Sequence, residues 1–250
     1  MDNPIGIFDS GLGGLTVYKE VRSLCKEENI IYYADTKRAP YGDKSRKALL
    51  IYAREIIAFL QKRNVKIIII ACNTISANSY HFLRENYKTP IFEPINFAIT
   101  SAVRNANKGI GVLATQATVN SGVFERGIHA VHHIPIYQVA CPLFVPLIEE
   151  GIRDEKIILP IVRKYMQSLV GNIDTLILGC THYPFLINSI QKVIGNVNII
   201  NPAYSIAHSV KDYLASNNMQ KSFGKGYDKF YTSGDNDRFA YMRSILLQQC

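Results

Sequence analysis

The stretch "IIIIACNTIS" (67–76) returns as "TLILGCTHYP" (175–184), with the two cysteines 108 positions apart (180 minus 72). Each carries an uninterrupted apolar run, four isoleucines in the first and Leu-Ile-Leu in the second. Such a run suits a strand covered on both faces in a parallel sheet. Each run ends at a small residue and a cysteine, then turns polar, as a strand does when it passes into a helix. The same offset sets Pro94 on Pro202 and "PIFEPINFAI" beside "NIINPAYSIA". With a slightly different offset "IGIFDSGLGGLTV" overlies "IGVLATQATVNSG". Landmarks that keep their spacing indicate two units of one plan.

Working outward, apolar runs bounded by turn signals occur at 5–11, 29–35, 66–72, 90–95, 109–115, 135–141, 174–180, 197–202 and 229–235. Between them lie helical patterns such as 45–64, where Leu49, Leu50, Ala53, Ile56, Ile57 and Leu60 make a single stripe. Alternating strands and helices specify an α/β class, here two similar doubly wound domains related by a pseudo-twofold axis. The expected division is 1–97 with 206–250 for the first domain and 98–205 for the second. The tail from 229 reads as a further strand and helix returning to the first. Ligands of open α/β sheets bind outside the carboxyl ends of the strands. Asp9, Cys72, Thr115 and Cys180 all fall there, so a cleft between the two units is the expected site.

Composition narrows the class. The 250 residues are 48% hydrophobic and 19% charged, globular values. No run reaches the roughly 18 apolar residues of a membrane span, and "MDNPIGIFDSG" lacks a basic n-region, so a cytoplasmic protein without a membrane partner is expected. Basic residues exceed acidic ones by 8 but are scattered, with no run longer than two, which disfavours nucleic acid. Five cysteines (Cys25, Cys72, Cys141, Cys180, Cys250) with no CxxC pair argue against a disulfide framework. A zinc site from Cys72, Cys180 and His182 lacks the paired local spacing of structural zinc, and no metal is expected. "DSGLGG" with Asp35 imitates a dinucleotide fingerprint, but Thr16 holds the third glycine position and Asp9 would crowd a pyrophosphate.

A cysteine after a strand is ordinarily a small buried hydrophobe. Here Asn73, Thr74 and Ser76 follow one and Thr181 and His182 the other, so polar groups surround both thiols, and helix N-terminal amides would lower a thiol pKa from about 8.5. A nucleophilic Cys/His enzyme has no use for a second symmetric cysteine. Two facing acid/base groups suit a reaction with mirror symmetry, in which a proton leaves one face of a carbon and another arrives at the opposite face: racemisation. His182 is the natural partner for Cys180 and Asp9 for Cys72, although Asp9 also reads as a helix N-cap. Tyr41 and Gly42 lie in a turn that reads equally as a substrate-facing loop. Glu149 and Glu150 read as a solvated pair.

The blocks "GIFDSGLGGLTV", "YYADTKRAPYGDKS", "IIIACNTISA", "CPLFVPLIEEG", "LILGCTHYPFL" and "FYTSGD" resemble, in order and spacing, the glutamate branch of the aspartate/glutamate racemase family from residue 5 to about 240. The resemblance implies a cofactor-independent amino-acid racemase that supplies D-glutamate for peptidoglycan, with Cys72 and Cys180 acting on opposite faces of Cα. It implies Asp9 and His182 as their supports, and Asp9, Ser10, Tyr41, Gly42, Asn73, Thr74, Thr181 and His182 as substrate contacts. Asp35 and Glu149 match acidic positions associated with catalysis, and a homodimer is expected. Ala34, Ile75, Ala114 and the stretch 92–98 depart from the family's usual pattern.

Overall fold

Nine parallel strands form two sheets in the computed structural model, which describes residues 2–249, with side chains to Leu247; Cys250 lies outside the described residues. In chain order the elements are β1 (Ile5–Asp9), α1 (Leu15–Leu24), β2 (Ile30–Ala34), α2 (Arg46–Gln61), β3 (Ile67–Ile70), α3 (Asn73–Asn86), β4 (Ile91–Phe92) and α4 (Pro94–Asn105). There follow β5 (Ile110–Ala114), α5 (Gln116–Asn120), α6 (Val123–His129), β6 (Ile136–Ala140), α7 (Phe144–Glu149), α8 (Glu155–Met166) and β7 (Thr175–Gly179). After a 3₁₀ turn (Tyr183–Leu186) come α9 (Ile187–Ile194), β8 (Asn198–Ile200), α10 (Pro202–Ser216), β9 (Asp228–Thr232) and α11 (Asn236–Gln249).

The first sheet has the order β4-β3-β1-β2-β9 and the second β6-β5-β7-β8. Read from the opposite edge, the second is β8-β7-β5-β6, the order of the first four strands of the other sheet. The internal repeat of the sequence is therefore a repeat of topology, and β9, pairing with β2, is the tail's return to the first sheet. Alternation explains the covering of both faces. Ile67 and Ile69 of β3 meet α1 and α10, while Ile68 and Ile70 meet α2 and α3. The stripe foreseen on 45–64 is α2, whose Leu49, Ala53, Ile56, Ile57 and Leu60 are fully buried and whose N-cap, Ser45, accepts from the Ala48 amide. Each large aliphatic so buried contributes roughly 1.5–3 kcal/mol.

The two units exchange their last helices. α4 follows the fourth strand of the first sheet but packs Ile95, Ala98, Ile99 and Ala102 against Val112 and Ile177 of the second. α10 does the reverse, placing Ile206, Ala207, Val210 and Leu214 against Ile5, Ile7 and Ile67. Both crossings are built alike: a proline opens the helix, and the residue before it caps the first turn. Glu93 accepts from the amides of Ile95 and Asn96 (2.7 and 3.0 Å), and Asn201 from that of Ala203 (3.2 Å). A division at 97/98 and 205/206 falls one turn inside each of these helices. Ala34, Ile75 and Ala114 are wholly buried, so these three departures from the family pattern lie in packing, and within 92–98 Glu93 caps α4.

Candidate active site

The carboxyl ends of β1, β3, β5 and β7 open onto one cavity of about 230 Å³ between the units, below the roughly 300–1,000 Å³ of pockets for drug-sized ligands and suited to a small metabolite. Ser10, Cys72, Asn73 and Thr74 line it from the first sheet, and Thr115, Cys180, Thr181 and His182 from the second. The turn Ala39–Asp43, with Tyr41 and Gly42, forms one wall, and Glu149 at the end of α7 lies in the other. Both thiols thus enter the same space from corresponding strands.

Cys72 is the N-cap residue of α3. Its sulfur lies 3.8 Å from Ser10 Oγ. Burial, reinforced by the Asp9 carboxylate, pushes the thiol up to about 12, outweighing the Ile75 amide and the Ser10 hydroxyl, which favour thiolate. The expectation that helix amides lower this thiol is corrected here: at 5% exposure the loss of hydration is the larger effect. Asp9 is fully buried and touches no solvent. Its Oδ2 accepts from the Gly11 amide at 3.0 Å and its Oδ1 from Thr181 Oγ1 at 3.3 Å. Burial raises its carboxyl, against the opposing pull of His182 and of the Gly11 and Gly14 amides. Asp9 is not the helix cap of the alternative reading, since Gly14 occupies the N-cap of α1 with no side-chain cap bond.

Around Cys180 the arrangement is a relay. His182 Nδ1 is 3.8 Å from Cys180 Sγ, and Nε2 is 3.0 Å from Glu149 Oε1. Burial disfavours the imidazolium, yet hydrogen bonds and charge from Cys180 and Glu149 hold the His182 pKa well above its ordinary value. Glu149 is lowered despite its own desolvation, by His182 first and then by Arg238. The reading of Glu149 and Glu150 as one solvated pair is corrected: Glu149 faces His182, whereas Glu150 is exposed and sits 3.7 Å from Arg238.

The glycines of "DSGLGG" permit this closeness. A Cβ on Gly13 would fall inside contact distance of His182 Nδ1 and 2.5 Å from Thr181 Oγ1, and one on Gly14 would lie 2.5 Å from the Asp9 Cβ. They allow two strand ends to meet, which accounts for the motif without a pyrophosphate. Among the described residues no three His, Cys, Asp or Glu side chains converge as metal ligands do.

Of the residues expected at the site, ten line the cavity: Ser10, Tyr41, Gly42, Cys72, Asn73, Thr74, Glu149, Cys180, Thr181 and His182. Asp9 and Asp35 do not. Asp9 is buried outside it, bonded to the Gly11 amide and Thr181, and Asp35 is buried beneath Tyr41 and Arg38. Cys141 also lines the cavity, as does Thr115, which the sequence places at the same sheet end as Asp9, Cys72 and Cys180. Thr115 is no member of the expected substrate-contact set. Thr115 Oγ1 lies 2.9 Å from Thr74 Oγ1, bridging the units. Its signal was present in the repeat, which sets the end of β5 on the end of β1. Cys141 follows β6 as Asp35 follows β2.

The profile of the Asp/Glu/Hydantoin racemase family matches residues 5–210. The chain belongs to this family. Within it, the glutamate racemase of Thermoanaerobacter sp. (strain X514) is 41% identical over 248 residues, covering 98% of this chain and 93% of that protein. Among solved racemases, glutamate racemase from Francisella tularensis in complex with D-glutamate superposes with a TM-score of 0.93 at 36% identity, covering 99% of this chain and 94% of that one. The glutamate racemase isoform RacE1 of Bacillus anthracis gives 0.94 at 31% identity, covering 98% and 94%. These full-length matches carry the racemase assignment past residue 210, through β9 and α11. The two-domain α/β architecture expected from the sequence is that of the family's solved members.

Proposed function

We propose that the chain interconverts L- and D-glutamate by a two-thiol proton transfer at Cα. The observation that carries this reading is the entry of Cys72 and Cys180, from corresponding strands of two repeated units, into one small cavity, each with a separate polar support. One sulfur, as thiolate, removes the α-proton; the other, as thiol, delivers a proton to the opposite face. At the end of a turnover the two have exchanged protonation states. Burial and the Asp9 carboxylate favour the protonated form of Cys72, and the contacts with Cys180 and Glu149 favour the protonated form of His182. Which sulfur acts as base is set by the enantiomer bound, so the roles of Cys72 and Cys180 exchange with the direction of reaction.

A thiolate is a weak base toward the α-proton of an amino acid. General acid/base action supplies about 10²- to 10⁴-fold, so donors prearranged in a water-poor cavity carry much of the rest. Hydroxyls of Ser10, Thr74, Thr115 and Thr181 and the amides at the strand ends are the groups placed to hold the two substrate carboxylates. No cofactor is invoked. Closure of the two units, 1–97 with 206–250 against 98–205, would exclude water. The same reading places the protein in the cytoplasm of a bacterium, as a homodimer feeding D-glutamate to peptidoglycan. No helix among the described residues is long and apolar enough to cross a membrane.

The test is incubation with each enantiomer of glutamate in D₂O. Decay of optical rotation to zero with deuterium at Cα is the expected result. Unchanged substrate that nonetheless binds would identify a binding protein without turnover. Faster racemisation of aspartate in the same assay would move the specificity to the shorter acid.

A further inference from the structure

The C-terminal motif "FYTSGD" (230–235) contributes nothing to the cavity, yet it is tied to the cavity's wall. Ser233 follows β9, at the edge of the first sheet beside β2. Its Oγ donates to Asp35 Oδ1 at 2.6 Å and accepts from the Lys37 amide at 3.1 Å. One residue earlier, Thr232 Oγ1 lies 2.6 Å from Thr36 Oγ1. One residue later, Gly234 is pressed so closely on Thr36 that a Cβ would overlap its hydroxyl. Three consecutive residues of the tail therefore grip the segment 35–37.

Asp35 passes this grip on. It is fully buried, and its other oxygen accepts from Arg38 Nε at 2.5 Å and from the Tyr41 hydroxyl. Arg38 lies 4.2 Å over the Tyr52 ring, which itself packs on Tyr41. The Tyr41 hydroxyl is thus committed as a donor away from the cavity, and what Tyr41 presents to a substrate is its ring and backbone. The next residue closes the wall on the other unit. The Gly42 carbonyl accepts from the Ala117 amide at 2.9 Å, and Gly42 is so near Thr115 that a Cβ would come within 3.1 Å of it.

We propose that Ser233, acting through Asp35 and Tyr41, is a positioning residue that fixes the Ala39–Asp43 wall against the bound substrate. The inference rests on the glutamate racemase reading for what occupies the cavity. A tether of this kind changes how the wall meets a ligand while leaving the two thiols where they are, so its loss falls on substrate binding more than on proton transfer. Losing one partly buried hydrogen bond to a carboxylate relaxes the wall enough to raise KM by about 3- to 10-fold, with kcat altered less than about 2-fold.

Three variants test it: Ser233→Ala, Ser233→Thr, which keeps the hydroxyl, and Tyr41→Phe, which removes the hydroxyl at the far end. Ser233→Ala and Tyr41→Phe should each raise KM, their double variant should raise it no further than the larger single effect, and Ser233→Thr should restore it. Backbone hydrogen exchange of the 39–44 segment should quicken in Ser233→Ala, with the rest of the first sheet unchanged. A KM that stays at the wild-type value, fully multiplicative effects in the double variant, or unaltered exchange at 39–44 overturns the proposal. Exchange is read without substrate, so absence of turnover in the wild type would overturn the racemase reading while leaving the tether separately decided.

Discussion

Replacing Glu149 by glutamine isolates the charge behind His182. The amide keeps the shape of the carboxylate and can still accept from His182 Nε2 across the 3.0 Å contact, so only the charge assistance disappears. Charged hydrogen bonds are worth about 1.5–3 kcal/mol and neutral ones about 0.5–1.5, a difference of about 1–2 kcal/mol, or roughly 5- to 30-fold in rate. The Glu149 side chain is 27% exposed and the His182 side chain 3%, so solvent screening favours the lower half of that range. Thermodynamics adds a constraint. Enantiomers have equal free energy in water, so kcat/KM must fall by one factor in both directions, whatever happens to kcat and KM separately. The pH dependence has a definite sign. Glu149 helps hold the His182 pKa above its usual value, so its loss lowers that pKa and moves the alkaline limb of kcat/KM toward lower pH. In the wild type the pair also contributes stability that is fully present between the unfolded carboxylate value of about 4.3 and the unfolded imidazole value of about 6.5, and is lost as pH rises through the raised His182 value or falls through the lowered Glu149 value. Polarimetric initial rates from both enantiomers between pH 6 and 10, roughly the range over which imidazole and thiol groups titrate, make the measurement. A change of less than about 2-fold in kcat/KM, or an alkaline limb that stays in place or moves upward, would refute the relay.

Other perturbations probe separate parts of the molecule. Cys72→Ser and Cys180→Ser should each lower racemisation by at least about 10²-fold, and full activity in either variant would reject the paired roles. Gly13→Ala forces a methyl group onto His182 and Thr181; thermal melts should show about 1–3 kcal/mol of destabilisation, accompanied by loss of turnover. Lys66→Met should be the most damaging change far from the cavity. It removes the cation from Glu28, whose carboxylate lies 2.5 Å from Lys66 Nζ with both side chains no more than 6% exposed. Glu28 then retains the hydrogen bond from the Lys221 amide but no paired charge at the oxygen that faced Lys66. Urea titration should register a loss of about 3–5 kcal/mol, and a loss below 1 kcal/mol would mean that the buried pair is dispensable.

Much of this was legible locally. A four-residue isoleucine run, a stripe of apolar residues every three or four positions, and a proline at the start of each crossing helix are short-range patterns, and they specify strands, helices and, by recurring, the repeat. The placement of Cys72 and Cys180 at strand exits followed from the same patterns, because side-chain position along a strand is set by its neighbours in sequence. What they could not contain is the identity of partners brought together by folding. Glu149 and Glu150 are equivalent as sequence, and only the approach of α7 to the β7 exit makes one of them the support of His182. The exchange of α4 and α10, the contact of Asp9 with Thr181 from the other unit, and the grip of Ser233 on Asp35 nearly two hundred residues away are long-range in the same sense. The proton affinity of Cys72 belongs here too. Helix amides, visible in the local pattern, pull it down, while burial and the Asp9 charge, which exist only once the units have closed around it, push it up and prevail.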